Sequence, residues 1–163
     1  MDLGYLKLRI DTKVEYEEYK KQYEYKRKEI KRAEIKKIFK NFKAFFKEDG
    51  NFKFKENDHS ITAFYKDYGI TLDMDIYKNV DNEDFLLKGF IKTYEKETFE
   101  FISEGICNKE ILQPAHIDNQ EKMLHDIRFY KDFLNGDIFY TFTYRITGRE
   151  EIYNSMIELL HAL

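Results

Sequence analysis

The chain has 163 residues, 42 % of them apolar, 36 % charged and 17 % aromatic, with 15 Phe, 13 Tyr and no Trp. That length can bury a core without staples, and an aromatic content this high excludes a disordered chain. One Pro and seven Gly leave no room for a flexible or Pro-rich linker, a single Cys excludes an internal disulfide or a cysteine-rich zinc site, and a net charge of −3 speaks against a domain basic enough to live on nucleic acid.

At the start, Leu6, Leu8 and Ile10 alternate with Lys7 and Arg9, which predicts a short strand. Thr12 followed by Glu15 has the spacing of a capping box, so a helix is expected to begin there. No Gly or Pro interrupts the run before Asp49-Gly50. The run carries two apolar stripes, one through Tyr16, Tyr19, Tyr23 and Ile30, the other through Ile35, Ile38, Phe42 and Phe45. They are rotated by about 110° at 3.6 residues per turn. One straight helix cannot present both to one flat sheet, so either the run breaks near 31–34 or it crosses two partners; a break into two helices is the expectation.

From residue 51 the apolar period becomes two. Phe52 and Phe54 alternate with lysines, and Ile70, Leu72, Met74 and Ile76 form the cleanest strand pattern and the expected sheet core. Turn residues at 57–58, 67–69 and 79–84 separate the strands, and 86–94 with 97–103 form a hairpin around Glu95-Lys96. Residues 108–114 connect to a helix capped by Asp118 and Glu121, faced by Leu124, Ile127, Tyr130 and Leu134 and stopped by Asn135-Gly136. Ile138 to Ile146 reads as a strand, and Thr147 with Glu150 as the cap of a last helix faced by Ile152, Met156, Leu159, Leu160 and Leu163. The expectation is one α+β domain over 1–163, an antiparallel twisted meander with helices on one face, in the order β-α(α)-β-β-β-β-β-α-β-α. This order is similar to the helix-grip arrangement of the START-like ligand-binding superfamily, in which a strand and two short helices precede a curved sheet that a helix closes. The extra helix before the last strand departs from it. The resemblance implies a small-ligand-binding domain as the alternative function.

Charge is uneven. Residues 20–47 hold twelve Lys or Arg against three Glu, a net +9, so the rest of the chain carries −12. On a helical wheel Arg32, Lys36, Lys40, Lys43 and Lys47 fall within about 80°, opposite the Ile/Phe stripe. Such a ridge suits an acidic protein partner, with nucleic acid as the weaker alternative, or is a solvated helix face. Tyr16, Tyr19 and Tyr23 join it as a candidate interaction surface, because tyrosine is enriched where proteins meet and equally where a helix lies at a core edge.

Asp73 and Asp75 sit two apart on an expected strand and project from one face. With Glu100 or Glu104 they are the one weak metal candidate; the ordinary reading, the wet face of a half-buried sheet, is adopted here, and no metal is expected. Asp118, Glu121 and His125 lie near one helix face without the paired histidines of a zincin, and His59-Ser60, His116 and His161 have no motif around them. Cys107 reads as a small buried hydrophobe, and the glycines never cluster into a phosphate loop. No catalytic residue and no cofactor is assigned. A lone Cys and a start, 1–5, without the basic-then-apolar pattern of a signal peptide lead to the expectation of a cytoplasmic protein, and apolar runs this short lead to no membrane association. The function expected is that of a non-catalytic intracellular protein acting on another protein: an inhibitor, an immunity protein or a phage-type counter-defence protein.

Overall fold

The computed structural model describes residues 1–112 and 118–163; Pro114 and His116 lie outside the described residues. In chain order the elements are α1 (Leu3–Lys47), β1 (Lys53–Glu56), β2 (Ser60–Tyr65), β3 (Tyr68–Asp73), α2 (Ile76–Asp81), β4 (Leu86–Lys92), β5 (Thr98–Cys107), α3 (Asn119–Leu134), β6 (Tyr140–Ile146) and α4 (Met156–His161). The fold is α+β, and the six strands form one antiparallel sheet in the order β1-β2-β3-β4-β5-β6. From residue 51 onward the expected run of five strands, helix, strand and helix is present, with the short α2 inserted after β3.

The first fifty residues differ from expectation. The opening strand at 6–10 does not form, because α1 already begins at Leu3. Its cap is Asp2, whose Oδ1 accepts from the Gly4 and Tyr5 amides at 2.9 and 3.2 Å while its carbonyl accepts from Leu6. Thr12 is therefore inside the helix, and its hydroxyl bonds back to the Leu8 carbonyl at 2.9 Å. The break expected near 31–34 is also absent: α1 runs on through it to Lys47. A second misplaced cap lies near the end of the chain. Residues 147–150 form a turn with Gly148 at φ +85°, and α4 starts at Met156 under a cap from Ser155, whose hydroxyl accepts from the Glu158 amide.

The described residues group into two compact units, one of Met1–Lys28 with Cys107–Tyr140, the other of Glu29–Ile106 with Thr141–Leu163. In the second unit the sheet is packed by helices. Ile35, Ile38, Phe42 and Phe46 of α1 and Met156, Leu159 and Leu160 of α4 bury against Ile61, Ala63, Leu72, Leu87, Ile91, Phe101 and Tyr144. These strand residues share one sheet face, which is dry; in β5 Ile102, on the other face, is buried as well. Of the four residues expected to form the core, Leu72 and Met74 are fully buried and Ile70 and Ile76 half-buried against the same cluster. Gly89 lets the Phe101 ring lie flat on the sheet, since a Cβ there would stand 2.5 Å from it.

Polar groups are built into this core as well. Lys31 has no exposed surface, and its Nζ donates to the carbonyls of Asn82 and Asp84 at 3.0 and 2.8 Å. The Tyr144 hydroxyl donates to the buried Glu34 carboxylate. Burial, and then that carboxylate, push the Tyr144 phenol far above its ordinary value. Asn79 of α2 donates to the Lys88 carbonyl and accepts from its amide, which fastens α2 to β4.

In the first unit α1 faces α3. Asp118 caps α3 as expected, accepting from the Glu121 amide at 2.8 Å, and Gly136 at φ +89° ends it. Tyr23 stacks on Tyr130 at 4.7 Å and meets Phe129 and Phe133 edge-on at 5.6 and 4.9 Å, while Tyr16 reaches Tyr130 at 6.1 Å. Polar contacts flank these rings: Gln120 donates to the Thr12 hydroxyl at 2.8 Å, and Lys131 pairs with Glu15 at 3.1 Å. Lys26 donates to the carbonyls of Phe133 and Leu134, the last turn of α3, where a cation meets the negative helix end.

Candidate interaction surface

The basic ridge is a consequence of how α1 is anchored in the second unit. With Lys31, Ile35, Ile38, Phe42 and Phe46 fixed toward the core, residues rotated by well over 90° must point to solvent. Arg32, Lys36, Lys40 and Lys47 are exposed, and none of the four has an ion-pair partner among the described residues. Lys43 differs. It is half-buried, its ammonium reaches Glu56 of β1 at 3.1 Å and stands 5.5 Å from the centre of the Phe54 ring. Lysines and arginines one helical turn apart repel, by roughly 0.2–0.5 kcal/mol per pair. The helix carries that cost because its opposite stripe is buried.

The three tyrosines expected to share this surface sit in the other unit. Tyr16 and Tyr23 turn their rings onto α3, and Tyr19 lies under the Lys131 ammonium at 5.2 Å; all three are half-buried. The ring contacts they make are with residues of their own unit.

Asp73 and Asp75 line one open recess with His59 and Tyr77, but neither Glu100 nor Glu104 lines it with them. Asp73 ends β3, but Asp75 has left the strand and caps α2, its Oδ1 accepting from the Lys78 amide at 3.1 Å. In register Asp73 lies opposite Phe90, and Phe90 opposite Glu100, so one whole strand separates the two carboxylates. Glu104 pairs with Leu86, at the other end of β4. Among the described residues no group of three His, Cys, Asp or Glu side chains is placed to hold a metal ion.

The remaining candidates have local partners. His125 meets the Leu112 carbonyl at 3.0 Å, and Asp118 is occupied at the α3 cap. His161 packs edge-on to Phe45, and His59 lies beside Tyr77. Cys107 is half-buried, its thiol 3.9 Å from the Asn108 side-chain oxygen.

One surface feature went unread in the sequence. Phe52, Tyr65, Tyr68, Ile70 and Tyr94 line an open apolar recess of about 250 Å³. The signal was the clustering of aromatics at strand ends, Tyr65 and Tyr68 flanking the β2–β3 turn and Tyr94 the β4–β5 turn. The Tyr94 phenol is held above its ordinary value, first by its hydrogen bond to Glu95 and then by that group's charge.

No family model matches the chain, and no curated protein or solved structure is significantly similar to it. No helix among the described residues is long and apolar enough to cross a membrane.

Proposed function

We propose that this is a non-catalytic binding protein that acts on another protein through the basic ridge of α1, in the manner of an inhibitor, immunity or counter-defence protein. The observation that carries the reading is the set Arg32, Lys36, Lys40 and Lys47, four cations on one helix face without ion-pair partners among the described residues. A partner with an acidic face supplies the missing counter-charge, steers encounter and fixes register.

The test is a charge reversal, Lys36→Glu with Lys40→Glu and Lys47→Glu, which spares Lys43 because that side chain is engaged with Glu56. The variant keeps the wild-type melting curve, since all three positions face solvent. An acidic protein captured from a host-cell extract by the wild type should bind the variant at least tenfold more slowly, with a wild-type association rate that falls as salt rises. Loss of folding would make the ridge structural. Micromolar-range binding to random DNA or RNA at physiological salt, abolished by the same variant, would put nucleic acid in the partner's place.

A further inference from the structure

The aromatic recess arises where helix cover runs out. A chain of ring contacts leads from the core outward: Phe42 to Phe46 at 4.9 Å, Phe46 to Phe52 at 5.0 Å, Phe52 to Tyr65 at 5.7 Å. Phe42 is fully buried and Tyr65 is 47 % exposed. Strand register puts these rings on the core side of the sheet: Phe54 lies opposite Ala63, Tyr65 opposite Tyr68, and Leu72 opposite Ile91. Tyr68 and Tyr94, 63 % and 57 % exposed, close the far side with ring centres 5.8 Å apart. Rings that face the core side yet stay open to solvent form a socket. Its walls carry no charged group, so ions are poor occupants and an apolar or aromatic side chain is a good one.

The socket adjoins an open sheet edge. Phe52 immediately precedes β1, and β1 is the terminal strand, hydrogen-bonded to β2 on one side only. An edge of this kind pairs with an added strand. The surroundings set the charge of that strand. Glu56 of β1 is already met by Lys43 of the ridge, which also contacts Phe54, so ridge and edge are neighbours and the exposed Lys53 and Lys55 are left to set the charge of β1.

We infer that the edge of β1 takes an extended, acidic segment of a protein partner as a seventh strand, with one apolar or aromatic side chain of that segment seated in the Phe52/Tyr65/Tyr68/Tyr94 socket. Such a segment belongs to the partner proposed above, and the assignment rests on that reading. The edge supplies affinity without sequence preference, the socket selects the anchor side chain, and the lysines select against basic segments.

The experiment is selection of a random dodecapeptide library on the full-length protein alone, followed by binding of the enriched peptides to Tyr68→Ser/Tyr94→Ser. Both tyrosines are mostly exposed, so this variant keeps the wild-type melt. Peptides enriched on the wild type should be acidic and carry one aromatic or large aliphatic residue. They should bind the tyrosine variant roughly tenfold or more weakly, the scale of a lost anchor. In the unmodified protein they should shift the amide resonances of residues 53–56. Binding indifferent to the tyrosines, enrichment of basic peptides, or no shift along β1 would each overturn the inference. So would N-acetyl-tryptophanamide binding as tightly as the peptides, which would make the socket a small-molecule site. A natural partner lost by the ridge reversal but retained by Tyr68→Ser/Tyr94→Ser would leave the ridge reading standing and remove the socket.

Discussion

Helix α1 serves two units with two different stripes, and the chemistry of each stripe matches what it meets. In 29–47 the stripe is Ile35, Ile38, Phe42 and Phe46, packed against a sheet and almost wholly buried. In 12–28 it is Tyr16, Tyr19 and Tyr23, packed against a single helix and half-buried. A sheet presents a broad dry face, so the helix residues on it need no polar atom. A lone helix covers a strip, so residues at its margin keep one side wet, and tyrosine meets that condition with an apolar ring and a polar tip. Continuity of the backbone thus does not imply uniform anchorage.

The largest expected effect tests that contrast directly. Phe42→Ala should cost about 3–5 kcal/mol in denaturant melts, the range for emptying a full aromatic site, whereas Tyr23→Ala should cost clearly less because its ring is already partly wet. Equal costs would break the comparison. Next in size is Lys31→Met, which leaves the carbonyls of Asn82 and Asp84 without their buried donor. It should cost roughly 2–4 kcal/mol, at about 1–3 for each unsatisfied group with some relaxation, against nearly nothing for Lys36→Met five residues on. A neutral Lys31→Met would show that the buried ammonium contributes nothing net to the second unit.

Smaller, and specific in pH, is the Tyr144–Glu34 pair. Tyr144→Phe should cost about 1–3 kcal/mol at neutral pH, because Glu34 keeps its burial and loses its donor. The folded-state pKa of Tyr144 is raised above the unfolded value near 10, so the folded state holds the proton more tightly. The stabilisation is complete below pH 10 and declines as pH rises beyond it. Tyr130 and Tyr140, raised chiefly by burial, add to the same decline in the first unit. Melting temperature followed from pH 8 to 11 should fall past pH 10, and less steeply in Tyr144→Phe.

These contrasts also explain which parts could be read from the residues alone. From residue 51 the alternation of Leu72 and Met74 with polar neighbours was legible because one face is buried, and burial is what gives a period meaning. The alternation of Leu6, Leu8 and Ile10 misled for the converse reason. All three are exposed on the helix, so no buried face gives their alternation a meaning. The two stripes are legible in the sequence but their partners are not, and the expected break gives way to a continuous helix that changes partner. Lys31 is a further instance. Its phase places it on the Ile35/Ile38/Phe42 stripe, yet a lysine in a basic run reads as solvent-facing until its carbonyl partners at Asn82 and Asp84, some fifty residues away, are known. The ridge itself was legible because it depends on helical phase alone. The socket was not, since it needs the register of four strands, β1 to β4.

The first nine residues of α1 have a consequence for motion. No residue before Thr12 is even half-buried, and among the described residues this stretch is held by the Asp2 cap and by the helix that follows it. Isolated helices this short barely persist in water, because each is nucleated at high cost. Here the nucleus is borrowed from residues 12–47, so the first turns are expected to open at lower cost than the packed turns that follow. Amide hydrogen exchange would then grade along a single unbroken helix: fast at 3–11, slower where α3 covers it, slowest under the sheet. One element of secondary structure would report three local opening free energies, set by what lies against it and not by its own sequence of hydrogen bonds.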